Sequence, residues 1–163
     1  MTKTLLILLT FGIVSCNTKN DSLSINNLNI NGLSLMHTPN SWTEKIGNPD
    51  IIVDYESETD NEMWKDYQYK GNSFYFHQNK WVGFELRNEA FFFYKPEIKV
   101  GNNINTVQSS FPNSYKNKAI INGLGFLIID INYDEKRKDS DSFVVLNYDT
   151  STNRITSINL GAK

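Results

Sequence analysis

The sequence predicts an α+β fold, in which one antiparallel β-sheet of about six to eight strands carries short helices on one of its faces. Three observations support this prediction. Apolar and polar residues alternate over residues 67–86, two short segments carry helix start and stop signals, and three apolar runs follow in the C-terminal part. Neither half of the chain is large enough to bury a core alone, so we expect the halves to share one core.

The first element is a leader. Lys3 precedes an apolar run over residues 5–14, and this order of charge and apolar core is typical of a secretory signal peptide. The run is about half of the roughly 20 residues that a helix needs to span the hydrocarbon of a bilayer. We therefore predict that residues 1–15 form a signal peptide that is removed.

Residues 13–16, Ile-Val-Ser-Cys, close this leader and resemble the lipobox of bacterial lipoproteins. The resemblance implies that the sulfur of Cys16 takes a diacylglyceryl group, that cleavage occurs just before Cys16, and that the new amine is acylated. Cys16 is the only cysteine, so an internal disulfide is excluded. The alternative is an ordinary secreted protein whose cysteine follows the cleavage site by chance.

The lipoprotein resemblance also implies a location in the envelope of a Gram-negative cell. By the sorting rule of that family, an aspartate after the lipidated cysteine retains a lipoprotein in the inner membrane. Asn17 stands there instead, which favours the outer membrane. Two or three acyl chains give stable anchoring, because each buried methylene contributes about 0.8 kcal/mol.

The chain after the leader divides into a tether and a folded body. Residues 16–27 are mostly polar and small, and they cannot bury enough apolar surface to offset the entropy of ordering them. We predict a lipidated flexible tether there and a single domain over residues 28–163. Its halves, 28–96 and 97–163, follow a similar order of elements, which is compatible with an old duplication.

The first half begins with a short helix. Thr38 is its predicted N-cap, Pro39 occupies the first helical position, and Gly47 ends it. The charged residues 54–62 are interpreted as a solvated loop. A three-stranded meander over residues 67–86 follows, with tight turns between the strands, and residues 89–96 are a candidate further strand that crosses to the second half.

The second half repeats this order. Asn102 is the predicted cap of a helix on which Ile104, Val107 and Phe111 recur at helical spacing. Strands are predicted in the apolar runs 126–131, 143–148 and 155–160, and the charged residues 132–142 are predicted to form an exposed loop.

A short capped helix followed by an antiparallel meander, twice over in a small exported chain, resembles the β-lactamase-inhibitor-protein-like domains and the small lipoprotein of the outer-membrane assembly machinery. The matching residues are 42–50 with 67–86, and 98–112 with 143–160. The resemblance implies a non-catalytic surface that binds another protein through a concave sheet. It implies no catalytic residue.

The sequence gives little support for catalysis, metal or cofactor binding. His37 and His77 are isolated and lack the spacing of zinc ligands, and we interpret both as structural or surface residues. No Gly-x-Ser-x-Gly motif is present, and residues 123–125 lack the third glycine of a phosphate-binding loop. Asp134, Glu135, Asp139 and Asp141 could recruit calcium, but the basic residues 136–138 among them oppose a divalent cation.

The balance of charge excludes a strongly basic nucleic-acid surface, because 16 Lys and Arg stand against 18 Asp and Glu. The aromatic residues are the more promising feature, since several fall outside the core alternation and an exposed aromatic cluster usually marks a binding surface. The predicted binding surface consists of Trp64, Tyr75, Trp81, Phe92 and Tyr94. The alternative is that a second layer of the fold covers these side chains.

We therefore expect a membrane-anchored lipoprotein that binds a protein partner and has no catalytic activity or cofactor. The alternative function is an inhibitor or immunity protein against a toxin or hydrolase. The segment that would block the target in that case is an acidic plug formed by Asp54, Glu56, Glu58, Asp60 and Glu62, which we call the acidic row.

Overall fold

The computed structural model describes residues 20–34, 37–57, 61–94, 97–132 and 142–162. The predicted signal peptide, Cys16 and most of the charged loop at 132–142 lie outside these residues. The elements of the first half are β1 (Ser22–Ser24), β2 (Asn29–Ile30), β3 (Leu33–Ser34), α1 (Pro39–Ile46), β4 (Ile51–Glu56), β5 (Met63–Tyr69), β6 (Asn72–His77) and β7 (Lys80–Leu86). Those of the second half are a 3-10 helix (Ile104–Ser109), α2 (Pro112–Lys116), β8 (Ala119–Ile121), β9 (Leu124–Asn132), β10 (Ser142–Asp149) and β11 (Arg154–Ala162).

Nine of the strands form one sheet, in the order β1-β9-β10-β11-β7-β6-β5-β4, with β8 also paired to β9. Each half contributes an antiparallel meander of four strands, β4 to β7 and β8 to β11. The two meanders meet where β11 pairs with β7 through Ile158 and Leu86. The order of a helix followed by a meander thus occurs in both halves.

The α+β class fits, but the sheet differs from the prediction in two respects. Within the described residues it has nine strands, and it is mixed, because β1 pairs with β9 in parallel. The prediction of a wholly antiparallel sheet was wrong because β1 was placed in the predicted tether. Residues Ser22–Ser24 are a strand whose central Leu23 is buried, so residues 20–27 belong to the folded body and the tether prediction is corrected there.

One face of the sheet carries the core. Cross-strand pairing aligns Phe74 with Phe84 in the first meander, and Ile158 with Leu146 in the second. These residues are buried in one cluster with Trp42 of α1 and residues of the second helical region. Both helical regions therefore supply side chains to the same core. The largest fully buried side chains are Trp42, Phe74, Phe76, Phe84, Phe93, Leu28, Ile30, Leu33, Leu86, Ile104, Leu127 and Ile129.

The first helix is confirmed with its cap. The Thr38 hydroxyl accepts a hydrogen bond from the Ser41 N–H at 3.4 Å, and Gly47 ends the helix at a φ of +93°. Trp42 packs with its ring centroid 4.4 Å from that of Phe74 and 5.0 Å from that of Trp81. Trp42 therefore packs α1 against the sheet.

Two local predictions are corrected. Residues Ile51–Glu56 form β4, so the first part of the predicted loop at 54–62 is a strand at the sheet edge. Residues 89–94 do not form a continuous strand; Phe93 makes only isolated bridges to Ile30 and Ile98. Pro96 lies outside the described residues.

The second helix also differs from its prediction. Asn103 caps it instead of Asn102, whose side chain accepts from the Lys99 N–H. Of the residues at helical spacing, Ile104 and Val107 lie in a 3-10 helix, and a separate α2 begins at Pro112, since proline is well tolerated in a first helical turn.

Candidate functional site

The face of the first meander opposite the core carries the candidate binding surface. In each strand, side chains alternate between the two faces of the sheet. Phe74 and the residues paired with it on neighbouring strands face the core, whereas Tyr75 and the residues paired with it face away from the core. Asp66 and Gly83 lie opposite Tyr75 on the neighbouring strands, and Tyr55 lies opposite Trp64. We call this side the open face.

Four side chains form a connected cluster on the open face, which we call the aromatic surface: Tyr55, Trp64, Tyr75 and His77. The Tyr55 ring centroid lies 6.2 Å from that of Trp64 and 5.8 Å from that of Tyr75, in edge-to-face geometry. His77 stacks on Trp64, with ring centroids 5.9 Å apart and ring planes 18° apart. All four side chains are half-buried. Three adjacent strands therefore present one continuous ring cluster to solvent.

His77 has a positioning role in this cluster. Its Nε2 lies 2.5 Å from the Oε2 of Glu62, so the imidazole is held at one edge while its face covers Trp64. Lone histidines of this kind orient neighbours more readily than they bind a metal. His37 is likewise engaged, because its Nδ1 accepts from the Ser34 N–H at 3.2 Å.

Gly83 makes room for Tyr75. A Cβ atom on Gly83 would lie 3.3 Å from the Cδ2 of Tyr75, so the tyrosine ring rests against the bare backbone of β7. Burial raises the pKa of the Tyr75 phenol, against a smaller opposing effect of a hydrogen bond with Ser73. The ring therefore packs closely on Gly83, and the phenol stays neutral at physiological pH.

A polar network supports the aromatic surface from the same face. Asp66 is buried, and its Oδ2 accepts from the Gln68 Nε2 at 2.8 Å and from the Ser73 Oγ at 3.1 Å. Arg87 donates to the Ser73 Oγ at 3.2 Å and also contacts Glu85. These bonds tie β5, β6 and the end of β7 together beside the rings.

The edge strand β4 extends the aromatic surface with aliphatic side chains. Ile51, Ile52 and Val53 are 55%, 50% and 41% exposed, and Met63 on β5 is 62% exposed. Ile51 and Val53 share the open face with Tyr55, whereas Ile52 and Met63 point to the other face of the sheet. Among the described residues, β4 pairs with β5 only. An edge strand with three consecutive exposed β-branched residues is a template for another chain unless it is protected. Asp54 supplies some protection through an ion pair with Lys65 at 2.7 Å.

Trp64 and Tyr75 are thus the two predicted surface residues that the structure brings together, and Tyr55 joins them. Sequence reasoning missed Tyr55 because it lies in the segment interpreted as a loop. Its alternation with Val53 was the available signal.

Trp81 does not belong to the surface. It is 3% exposed, packs on Trp42 and donates from its Nε1 to the Gly83 carbonyl oxygen at 2.6 Å. The cause is a β-bulge: Tyr75 pairs with Gly83 but Phe76 pairs with Trp81, so Val82 is an extra residue. The bulge shifts the alternation of β7 by one residue, which turns Trp81 inward.

Phe92 and Tyr94 lie elsewhere in the fold. Phe92 is half-buried, with the Lys99 Nζ 5.8 Å from its ring centroid, and Tyr94 packs on Phe111 at 5.2 Å. In the described part of the chain, no ring contact connects either of them to Trp64 or Tyr75. The predicted surface of five residues is therefore reduced to two.

Two further findings concern the described ranges alone. No helix there is both long and apolar enough to cross a bilayer. No group of three or more His, Cys, Asp or Glu side chains there is placed to hold a metal ion. The carboxylates considered for calcium, at positions 134, 135, 139 and 141, lie outside the described residues.

Comparison with known proteins identifies no family. No family model matches the chain, and no curated protein matches it. Among solved structures, an extracellular protein containing a SCP domain from Bacillus anthracis aligns with a TM-score of 0.46 at 11% identity, over 79% of this chain and 44% of that one. A cysteine-rich secretory protein from Staphylococcus aureus aligns with a TM-score of 0.37 at 13% identity, over 88% of this chain and 50% of that one. The chain thus spans at most half the length of either structure.

Proposed function

We propose that this protein is a non-catalytic protein-binding module, anchored in the cell envelope by lipid on Cys16, with the outer membrane as the favoured location. The observation that supports binding is the aromatic surface, a ring cluster of Tyr55, Trp64 and Tyr75 on the open face of a sheet. The support for anchoring is the lipobox-like sequence that ends at Cys16.

The composition of the aromatic surface suits a protein partner. Tryptophan and tyrosine are enriched among the residues that dominate the energetics of protein interfaces, because they bury a large area with few rotatable bonds. Here the rings are held by contacts with one another and by Gly83 behind Tyr75, so little side-chain entropy remains to be lost on binding. Ile51 and Val53 of β4 lie on the same face as the rings and enlarge the apolar contact area.

The alternative function, an inhibitor or immunity protein with an acidic plug, is less well supported. Asp54 forms an ion pair with Lys65 at 2.7 Å, and Glu62 lies 2.5 Å from the imidazole of His77. Two carboxylates of the predicted acidic row are therefore engaged within the protein, which lowers their value for an external basic site.

Site-specific photo-crosslinking in the native cell tests the proposal. A benzoylphenylalanine at position 55 replaces one aromatic ring by another and reports on any chain that covers the aromatic surface. The matched control is the same replacement of Tyr115, which is also a half-buried tyrosine and lies on α2. We expect a discrete adduct from position 55, absent from position 115 and lost when Trp64→Ala is added.

The partner identified in that adduct is then purified, and its affinity is measured directly. Trp64→Ala should raise the dissociation constant by about tenfold or more, as expected for an interfacial hot spot. Identical adducts from both positions, or an unchanged dissociation constant, would remove the aromatic surface from the proposed function.

A further inference from the structure

The turn between β8 and β9 carries a second group of exposed aliphatic side chains. Ile120, Ile121 and Leu124 are 65%, 58% and 54% exposed. Ile121 pairs with Leu124 across the hairpin, and Asn122 and Gly123 form the tight turn with φ values of +51° and +82°. Three large aliphatic side chains at the tip of a hairpin are costly in water. We call this feature the hairpin tip.

The start of the described chain is fixed close to this hairpin. The Asp21 carboxylate accepts from the Asn113 and Ser114 N–H groups of α2 at 2.7 and 2.9 Å. The Asn20 Oδ1 accepts from the Nδ2 of Asn117 at 3.0 Å, and Asn117 is two residues before β8. The N-terminal segment therefore meets the body at the base of the β8–β9 hairpin.

The length of chain before Asn20 limits how far an anchor at Cys16 can lie. Four residue steps separate Cys16 from Asn20, which is at most about 14 Å of extended chain. Four residue steps also separate Asn117, which contacts Asn20, from Ile121 at the hairpin tip, so these two residues are at most about 14 Å apart as well. In the other direction, β4 lies six strands from β9, or roughly 29 Å at the spacing of neighbouring strands. An anchor on Cys16 thus reaches the hairpin tip far more easily than the β4 edge.

We propose that the hairpin tip docks into the surface of the phospholipid bilayer that holds the anchor, and that this contact orients the aromatic surface away from the membrane. The inference depends on the proposed lipidation of Cys16 for its bilayer, but not on the protein partner. Exposed aliphatic side chains prefer the boundary of the acyl region, and neighbouring lysines prefer anionic headgroups.

The charges around the hairpin tip fit a bilayer surface. Lys116 is exposed beside the hairpin, and the Lys118 Nζ lies 3.3 Å from the centroid of the Tyr115 ring. Asp149 lies opposite Leu124 on β10, but its Oδ1 accepts from both the N–H and the Oγ of Ser151 at 2.7 Å. The exposed Lys116 amine can meet lipid phosphates, whereas the Lys118 amine already lies over the Tyr115 ring and Asp149 keeps its negative charge.

A fluorescent probe at the hairpin tip tests this docking. Because Cys16 is the only native cysteine, an introduced cysteine can be labelled uniquely once Cys16 is lipidated or replaced by serine. Leu124→Cys carries an environment-sensitive dye, and the control is Met63→Cys, which is similarly exposed at the opposite side of the sheet. Both replacements are at exposed positions, so the fold is preserved.

Each labelled protein is measured in two forms on vesicles of phosphatidylcholine and phosphatidylglycerol. One form is the lipidated protein reconstituted from membranes, and the other has Cys16→Ser with a hexahistidine tag before it, held by nickel-chelating lipid. With the second form, the test of docking does not depend on natural lipidation. Lipidation itself is tested separately by mass spectrometry of the native protein. We expect the dye at position 124 to shift to the blue and to lose intensity with spin-labelled lipid, and the dye at position 63 to do neither.

Equal emission and quenching at the two positions would overturn the proposal. Quenching at position 63 alone would also overturn it, because the opposite edge would then face the bilayer. A blue shift at position 124 in the absence of vesicles would indicate that a second copy of the chain covers the hairpin, which likewise contradicts docking to lipid.

Discussion

Gly125→Ala is the substitution for which the structure makes the sharpest prediction. Gly125 lies on β9 directly opposite Tyr148 of β10, and the tyrosine ring covers its α-carbon. A Cβ atom at this position would lie 2.1 Å from the Cζ and 2.3 Å from both Cε atoms of Tyr148. These distances are far below van der Waals contact, and Tyr148 is 4% exposed, so the ring must leave its buried position.

The cost follows from the area that the ring would expose. An aromatic side chain buries about 150–250 Å², which at about 25 cal/mol per Å² is worth roughly 4–6 kcal/mol when fully expelled. A partial displacement costs less, so we expect Gly125→Ala to lower the free energy of unfolding by about 2–4 kcal/mol. Gly83→Ala is the control, because its Cβ would meet Tyr75 at 3.3 Å, a contact that a half-buried ring relieves for about 1 kcal/mol or less.

Urea unfolding followed by tryptophan fluorescence measures both substitutions on the unlipidated mature chain. The decisive experiment is the double-mutant cycle with Tyr148→Ala, which removes the clashing ring. In that background Gly125→Ala should be close to neutral, so the coupling energy should exceed about 1.5 kcal/mol. If Gly125→Ala costs the same with and without Tyr148, or no more than Gly83→Ala, the packing of β9 on β10 described above is wrong.

Three further predictions concern the core, the first helix and the alkaline limit of stability. Trp81→Ala should lower the free energy of unfolding by about 3–5 kcal/mol, because it leaves a cavity in the core. Trp64→Ala should lower it by about 1 kcal/mol or less, and urea unfolding measures both values. Thr38→Ala should cost about 1 kcal/mol in the same assay, through loss of the N-cap of α1. Since burial raises the pKa of the Tyr75 phenol, the folded state holds this proton more tightly than the unfolded state. The stability that this difference contributes is present below about pH 10 and is lost as the pH rises through the pKa of Tyr75 in the folded state. Between about pH 9 and 11 the free energy of unfolding of the wild type should therefore fall more than that of Tyr75→Phe.

Each of these predictions has an outcome that contradicts it. If the Trp81→Ala variant is as stable as Trp64→Ala, the assignment of Trp81 to the core is wrong. A neutral Thr38→Ala would mean that the helix start contributes nothing through its cap. Parallel alkaline profiles of the wild type and Tyr75→Phe would show that the phenol titrates alike in the folded and unfolded states.

The sequence predicted those elements whose signals are local. The Thr38 cap and the Gly47 end define α1, and unbroken alternation or apolar runs define β6, β9, β10 and β11. These features depend on neighbouring residues of the chain, so sequence patterns capture them.

The errors concern features that depend on distant parts of the chain. β4 is exposed along most of its length, and its apolar and polar residues alternate only from Val53 to Glu56, which is too short a run to indicate a strand. β1 is too short to be recognised, and it becomes a strand only through its parallel pairing with β9. The inward turn of Trp81 depends on a bulge across the β6–β7 pair, which no period along β7 reveals.

The candidate surface was only half predicted for the same reason. Trp64 and Tyr75 were named because they fall outside the core alternation, and both lie on the open face. Tyr55 and His77 complete the cluster through cross-strand contacts, which require the register of three strands. Phe92 and Tyr94 are in a segment whose path over the core follows from contacts with β2 and the second helical region.

The mass of the native protein, extracted from membranes of the cells that make it, tests the central claim of an envelope-anchored binding module most directly. We predict a chain that begins at Cys16 and carries a diacylglyceryl group on the sulfur and an acyl group on the amine. A chain that retains its leader, or one that begins near Cys16 with a free thiol, would contradict the anchor.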